Sequence, residues 1–236
     1  MQLPKISAQE LMAKMAESDA QKFSGMVQFT GFGGQALHGG GKGVGAAASP
    51  QSESKTETRQ VAADGPEKQR VPIGGKTLIH NGTDAWEYDS GSNIAVHHTV
   101  PRDAPHDEGD PSFEELLRMS TPQGMTEQTL KAAGDASSAT VGGTTKVAGR
   151  DAYQLVIKPK DGYTDSIRVA VDAANGVPLK LTVTSKRGGP APMSVGYTRV
   201  DFTKPAASTF APPKGAKIVE GDQKPAKTGR ERGQGR

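Results

Sequence analysis

What most restricts the fold of this chain is the alternation of polar and apolar residues in short runs closed off by turn signals. In the stretch 75–100, GKTLIHNGTDAWEYDSGSNIAVHHTV, three such runs, KTLIH, DAWEYD and NIAVHHTV, are divided by Asn81-Gly82 and by Ser-Gly-Ser. Successive strand residues point to opposite faces, so a period of two marks a sheet with two different sides. Asn-Gly is a strong hairpin signal because both positions take positive φ cheaply. The three runs therefore read as an antiparallel meander. Within it Trp86 and Tyr88 share a face, as do Ile94, Val96 and His98, while Glu87, Asp89 and His97 point the other way.

The same signature recurs along most of the chain. FSGMVQFTGF sets Phe23, Val27 and Phe29 on one strand face and Met26 and Phe32 on the other, and KTETRQVA and EKQRVPI alternate around the turn Asp64 to Glu67. TVGGTTKVAGR, DAYQLVIKP, DSIRVAVDA, GVPLKLTVTS and SVGYTRVDF follow, with turns at Ala148-Gly149 and Asn175-Gly176. Pro212 and Pro213 are expected to end the pairing.

Two segments change to a helical period. SAQELMAKMAES opens with a capping box of Ser7 and Glu10 and stripes Leu11, Met12 and Met15 on one side. DPSFEELLRMS starts at Asp110-Pro111, carries Glu114 and Glu115 in its first turn and aligns Phe113, Leu116, Leu117 and Met119; MTEQTLKAA continues as a second short helix.

The fold expected is mainly β with helices: a strongly curved, unclosed antiparallel half-barrel of about eleven strands, covered by the N-terminal helix and a helical insertion over 110–133. It occupies residues 1–213, with a long flexible loop over 33–54 and a disordered basic tail over 214–236. Composition agrees, since 30 Gly, 16 Pro and only 33% hydrophobic residues leave much of the 236-residue chain outside any core. The last 23 residues hold seven basic against three acidic side chains, the pattern of a solvated end rather than of a nucleic-acid site.

Most reactive chemistry fails on spacing. HGGGKGVG lacks the Gly six places before Lys42 and the Ser or Thr after it that a phosphate loop requires. His97 and His98, adjacent on a strand, point to opposite faces, so a metal site with His106 and the acidic residues around it is not expected. There is no cysteine, no G-x-S-x-G elbow and no distinctive carboxylate pair, so the chain reads as non-enzymatic and no cofactor is implied. What remains is apolar lining: methionines on or beside the helices suit a surface that repacks around varied greasy ligands.

The order of elements, with NGTDAWEYDSGSNIAVHHTV, GRDAYQLVIKPK, SIRVAVDAANGVPLKLTV and GYTRVDFTKPAASTFAPPKGAKI, resembles the LolA-like superfamily of lipoprotein carriers, especially its actinobacterial extracytoplasmic members. The resemblance spans roughly Leu3 to Ile218, and the family's tryptophan strand corresponds here to Asn81, Gly82, Ala85, Trp86, Tyr88 and Asp89. It implies an apolar cavity for acyl chains between sheet and helices, and relatives that include the RseB/MucB sensors of envelope stress and lipid-carrying mycobacterial lipoproteins.

The function expected is thus an extracytoplasmic carrier or sensor of lipid or lipoprotein acyl chains. The alternative is an RseB/MucB-like module acting on a membrane-bound anti-sigma factor. Candidate cavity-lining residues are Met12, Met15, Phe29, Trp86, Tyr88, Ile94, Val96, Phe113, Leu117 and Met119. The partners expected are a lipid or acylated lipoprotein and a membrane-bound protein, with no nucleic acid, the chain being a monomer. Lacking a signal-peptide run and a lipobox cysteine, it reads as the mature part of an exported precursor that is membrane-anchored or secreted.

Overall fold

The structure, a computed structural model, describes residues 3–18, 20–31, 56–73, 75–100, 112–134, 136–160, 164–186 and 193–221. The loop over 33–54, His106 with its acidic neighbours, and residues 222–236 lie outside them. In chain order the elements are α1 (Ala8–Ala16), β1 (Lys22–Thr30), β2 (Thr56–Asp64), β3 (Lys68–Ile73), β4 (Lys76–Asn81), β5 (Asp84–Asp89), β6 (Ile94–Thr99), α2 (Phe113–Met119) and α3 (Pro122–Ala133). Then come β7 (Ala136–Val147), β8 (Arg150–Pro159), β9 (Thr164–Asp172), β10 (Pro178–Ser185), β11 (Met193–Asp201), a 3₁₀ turn (Ala207–Phe210) and β12 (Lys217–Glu220).

All twelve strands join one sheet in the order β12-β6-β5-β4-β3-β2-β1-β11-β10-β9-β8-β7. The sheet is curved and does not close, so β12 and β7 are its edges. Each pairing is antiparallel except that of β12 with β6. Neighbours in the sheet are consecutive in the chain except at two places: β12 lies beside β6, and β1 pairs with β11, which fuses an N-terminal to a C-terminal meander.

One face of the sheet carries the main core: Val27 and Phe29 of β1, Leu155 of β8, Val169 of β9, Leu181 of β10 and Val195 of β11, all 2% exposed or less. The helices cover this face. α1 starts at the expected capping box, with the Ser7 hydroxyl accepting from the Glu10 amide at 3.1 Å and the Ser7 amide donating to the Glu10 carboxylate at 2.8 Å. α2 starts later than Asp110-Pro111: its N-cap is Ser112, which forms a second capping box with Glu115. Two satisfied amides outweigh the preference for Pro in a first turn. α3 starts at Thr121, earlier than its apolar pattern begins, with Pro122 in the first turn.

Pairing resumes beyond Pro212 and Pro213. The prolines stop one strand, and the chain then turns so that Lys217–Glu220 adds to β6 in parallel. The β4–β5 hairpin also differs in detail. Asn81 pairs with Asp84, so the loop is Gly82-Thr83 and only Gly82 has positive φ.

Gly124 is demanded by packing. A Cβ there would run into the backbone of Arg118, where α3 crosses the end of α2. Gly124→Ala is expected to destabilise by about 1–3 kcal/mol through overpacking, despite the better helix propensity of Ala; urea unfolding checks this.

β12 is held by a side chain as well as by its ladder. His97 Nδ1 lies 2.9 Å from Glu220 of β12 and Nε2 lies 2.9 Å from Asp84 of β5. These hydrogen bonds, Glu220 first and Asp84 second, raise the imidazole above its ordinary value near 6.5. A raised folded-state value means the clamp is fully charged below the unfolded value and is lost as pH rises through the folded one. Amide exchange at 218–220, corrected for intrinsic rate, is expected to accelerate across that window in the native protein, and to lose this extra pH dependence in His97→Gln.

A helix-covered apolar seam as the candidate site

α1 is fastened over the core at both ends. Tyr153 Oη donates to the Pro4 carbonyl at 2.9 Å, and Lys14 Nζ donates to the Ala173 carbonyl at 2.6 Å. Between these ties Leu11 is fully buried, while Met12 and Met15 are partly buried against the same cluster. α2 buries Leu116, and α3 lies over β10 and β11.

α3 is seated differently. Its buried residues are Pro122, Gly124 and Thr126, with no large apolar side chain among them. Met125, Leu130 and Ala133 reach the core only half-buried. The layer between helices and sheet is therefore mostly apolar, with Leu11 and Leu116 its fully buried large helix side chains among the described residues. Half-buried thioethers on α1 and α3 give it surfaces that adapt to changed neighbours.

The structure brings together only part of the expected lining. Met12, Met15, Phe29 and Leu117 meet in the helix-covered core. Met119 is half-buried at the end of α2 and stands outside that cluster. Phe113 opens α2, and its side chain falls outside the described residues.

Trp86 and Tyr88 lie on the opposite face of the sheet, packed on a satellite cluster of Ala62, Ile79 and Phe210. The register gives the reason. Trp86 pairs with His97 and Tyr88 with Ala95, whereas Val96 pairs with Glu87 and Ile94 with Asp89. Directly paired residues share a face, so Ile94 and Val96, both half-buried, are turned away from Trp86. His97 accompanies Trp86, their ring centroids 5.3 Å apart, and does not point away from it. Runs of equal alternation leave the parity between two strands open.

The sequence reading missed Leu130 and the 3₁₀ turn. Leu130 follows Thr126 by four residues and precedes Ala133 by three, a face that was legible. Phe210 caps Ile79 from a Pro-rich segment with no periodicity, so no pattern marked it.

Two open clefts among the described residues, of about 380 and 460 Å³, are lined by none of the expected cavity residues. Among the described residues no group of three or more His, Asp or Glu side chains is arranged to hold a metal ion, and no helix is long and apolar enough to cross a membrane.

Comparison with known proteins bears out the resemblance read from the sequence. Residues 118–203 match the MucB/RseB N-terminal domain family. No curated protein matches the chain in sequence. Similar solved structures include the MucA/MucB complex of Pseudomonas aeruginosa, at 17% identity and a TM-score of 0.43, covering 90% of this chain and 63% of that one. LprF from Mycobacterium bovis has 9% identity and a TM-score of 0.46, covering 84% of this chain and 95% of its own. A LolA superfamily protein from Nitrosomonas europaea has 14% identity and a TM-score of 0.31, covering 88% and 98%. This chain thus spans less than two thirds of the MucB chain.

Leu11 is the main apolar anchor of α1. Leu11→Ala is expected to cost about 2–5 kcal/mol, against about 1 kcal/mol or less for Met12→Ala, which loses less buried surface; thermal and urea melts give both numbers.

Proposed function

We propose that the protein is an extracytoplasmic, non-catalytic binding module whose helix-covered seam opens to take an acyl chain. The observation that carries this reading is the seating of α3: an amphipathic helix laid on the core face by half-buried Met125, Leu130 and Ala133, with only small or polar residues fully buried. Such a helix separates from the sheet at low cost, and a hydrocarbon tail would replace the contacts it gives up. The match of 118–203 to the MucB/RseB N-terminal domain, a stretch that begins in α2 and ends just beyond β11, supports a family-level role as a lipoprotein carrier or a regulatory sensor.

The regulatory version has its own support. MucB is named in complex with periplasmic MucA, and the family matched here is that of MucB. In this version the partner is a membrane-bound anti-sigma factor, and acyl binding in the seam changes the affinity for it.

Acyl affinity should rise with chain length, because each methylene removed from water contributes about 0.8 kcal/mol, or roughly fourfold. Titration with fatty acids of increasing length, alongside native mass spectrometry for copurified lipid, is the test. Met125→Glu should abolish the length dependence while leaving the fold intact. Affinities that stay flat with length, together with protein that carries no lipid from cells, would dismiss the acyl-binding reading.

A further inference from the structure

The face of the sheet opposite the helices holds a second concavity with quite different chemistry. It has a volume of about 380 Å³ and is walled by side chains of β8, β9 and β10, with the end of β7 and its turn and Tyr197 of β11 completing it. The register shows how it is made. Gln154, Ala170, Lys180 and Gly196 are successive cross-strand partners on β8, β9, β10 and β11, and so lie in one row on one face. Arg168 and Thr182 form the adjacent row, two residues along β9 and β10.

Two small residues lower the floor of this surface. Ala170 is buried between Gln154 and Lys180, and Gly196 leaves room for the stem of Lys180, whose Cγ would lie only 2.9 Å from a Cβ placed there. The lysine stem thus lies across β11, and its ammonium is exposed beside Arg168, a diagonal neighbour at about 7 Å by sheet geometry. Both cations are exposed, and neither forms an ion pair with an acid among the described residues. Lys146 is the third cation of the wall, and its ammonium bonds Asp151 at 2.6 Å. No carboxylate lines the cleft. Asp172, the acid at the same parity along β9, is 1% exposed and bound to Arg150.

We propose that this cleft is an anion site for a phosphate-bearing group, with Arg168 and Lys180 as the charged donors and Gln154 and Thr182 as neutral ones. A guanidinium beside an ammonium, flanked by an amide and a hydroxyl over a shallow floor, presents donors without a competing acceptor charge. That is what a tetrahedral oxyanion requires. Its charged row lies on the other face of the sheet from Leu155, Val169 and Leu181 of the core, and the core residue Tyr197 borders the cleft. A protein engaging a lipid could hold the tail on one face, while this cleft takes a phosphorylated headgroup of the surrounding membrane or a free phosphoryl compound.

The test uses the full chain with two probes. One is inorganic phosphate followed by NMR of the Arg168 and Lys180 side chains. The other is flotation with phosphatidylcholine vesicles containing or lacking phosphatidylglycerol. Arg168→Gln and Lys180→Gln are expected to weaken binding about tenfold each. Gly196→Ala, which keeps every charge but displaces the Lys180 stem, is expected to weaken it severalfold, and Lys214→Gln, in an exposed turn, to leave it unchanged. Saturable shifts with inorganic phosphate identify the phosphoryl group itself as the ligand. Binding to phosphatidylglycerol vesicles alone, with the same dependence on Arg168 and Gly196, identifies a lipid headgroup. Equal losses in Arg168→Gln, Lys180→Gln and Lys214→Gln, with none in Gly196→Ala, would reduce the effect to net charge and overturn the site, as would no binding to either probe. Acyl-chain affinity should be unchanged in all four variants, so failure here leaves the seam untouched.

Discussion

The structure depends on the pairing of β1 with β11. Residues 24–30 of β1 meet residues 194–201 of β11 in antiparallel register, and among the described residues no other ladder joins β1–β6 to β7–β11. This contact spans most of the chain, so its closure entropy must be met by what it buries. It buries Val27, Phe29, Val195 and Tyr197, with Phe23 edge-on to the Tyr197 ring at 6.3 Å. The seam allows no slack. A Cβ at Gly25 would sit 2.7 Å from the Arg199 carbonyl and 3.0 Å from the Tyr197 ring. Burial also raises the Tyr197 phenol far above its ordinary value, so the ring sits in this core as a neutral group.

Once the two meanders are fused, the remaining features fall into layers of decreasing firmness. The strands of the C-terminal meander are buried on the core face and carry the matched MucB/RseB segment. α1 is tied by hydrogen bonds at both ends, α3 by few large buried side chains, and β12 at the edge by its ladder and the His97 clamp. Local openings start where few apolar groups are buried, which places the first motions at α3 and β12 rather than in the fused sheet.

The two faces of the sheet then serve opposite chemistries. One presents a continuous apolar surface to three helices. The other is polar over β8 to β10, where Gln154, Arg168, Lys180 and Thr182 stand in rows between the core-facing residues of the same strands. Alternation at period two makes this division unavoidable: every apolar residue sent inward sends its neighbours outward. Near β2 to β5 the second face is covered by Phe210 from the 3₁₀ turn.

Much of this was legible beforehand. The capping box at Ser7, the alternation in Ile167, Val169 and Val171, and the hairpin at Ala148-Gly149 are local signals, and local signals determine where a hairpin turns and which residues of one strand share a side. They also determined, through the motifs around Trp86 and Tyr88, the superfamily that the chain resembles. What they could not determine is how separate alternations line up. The parity of β5 against β6, the union of β1 with β11, the return of β12 beyond two prolines and the burial of Phe210 each join residues distant in sequence or indifferent in pattern. Only the tertiary structure decided these, because burial on a shared face is settled by the whole sheet, and a single residue of offset between two strands moves a side chain from one face to the other.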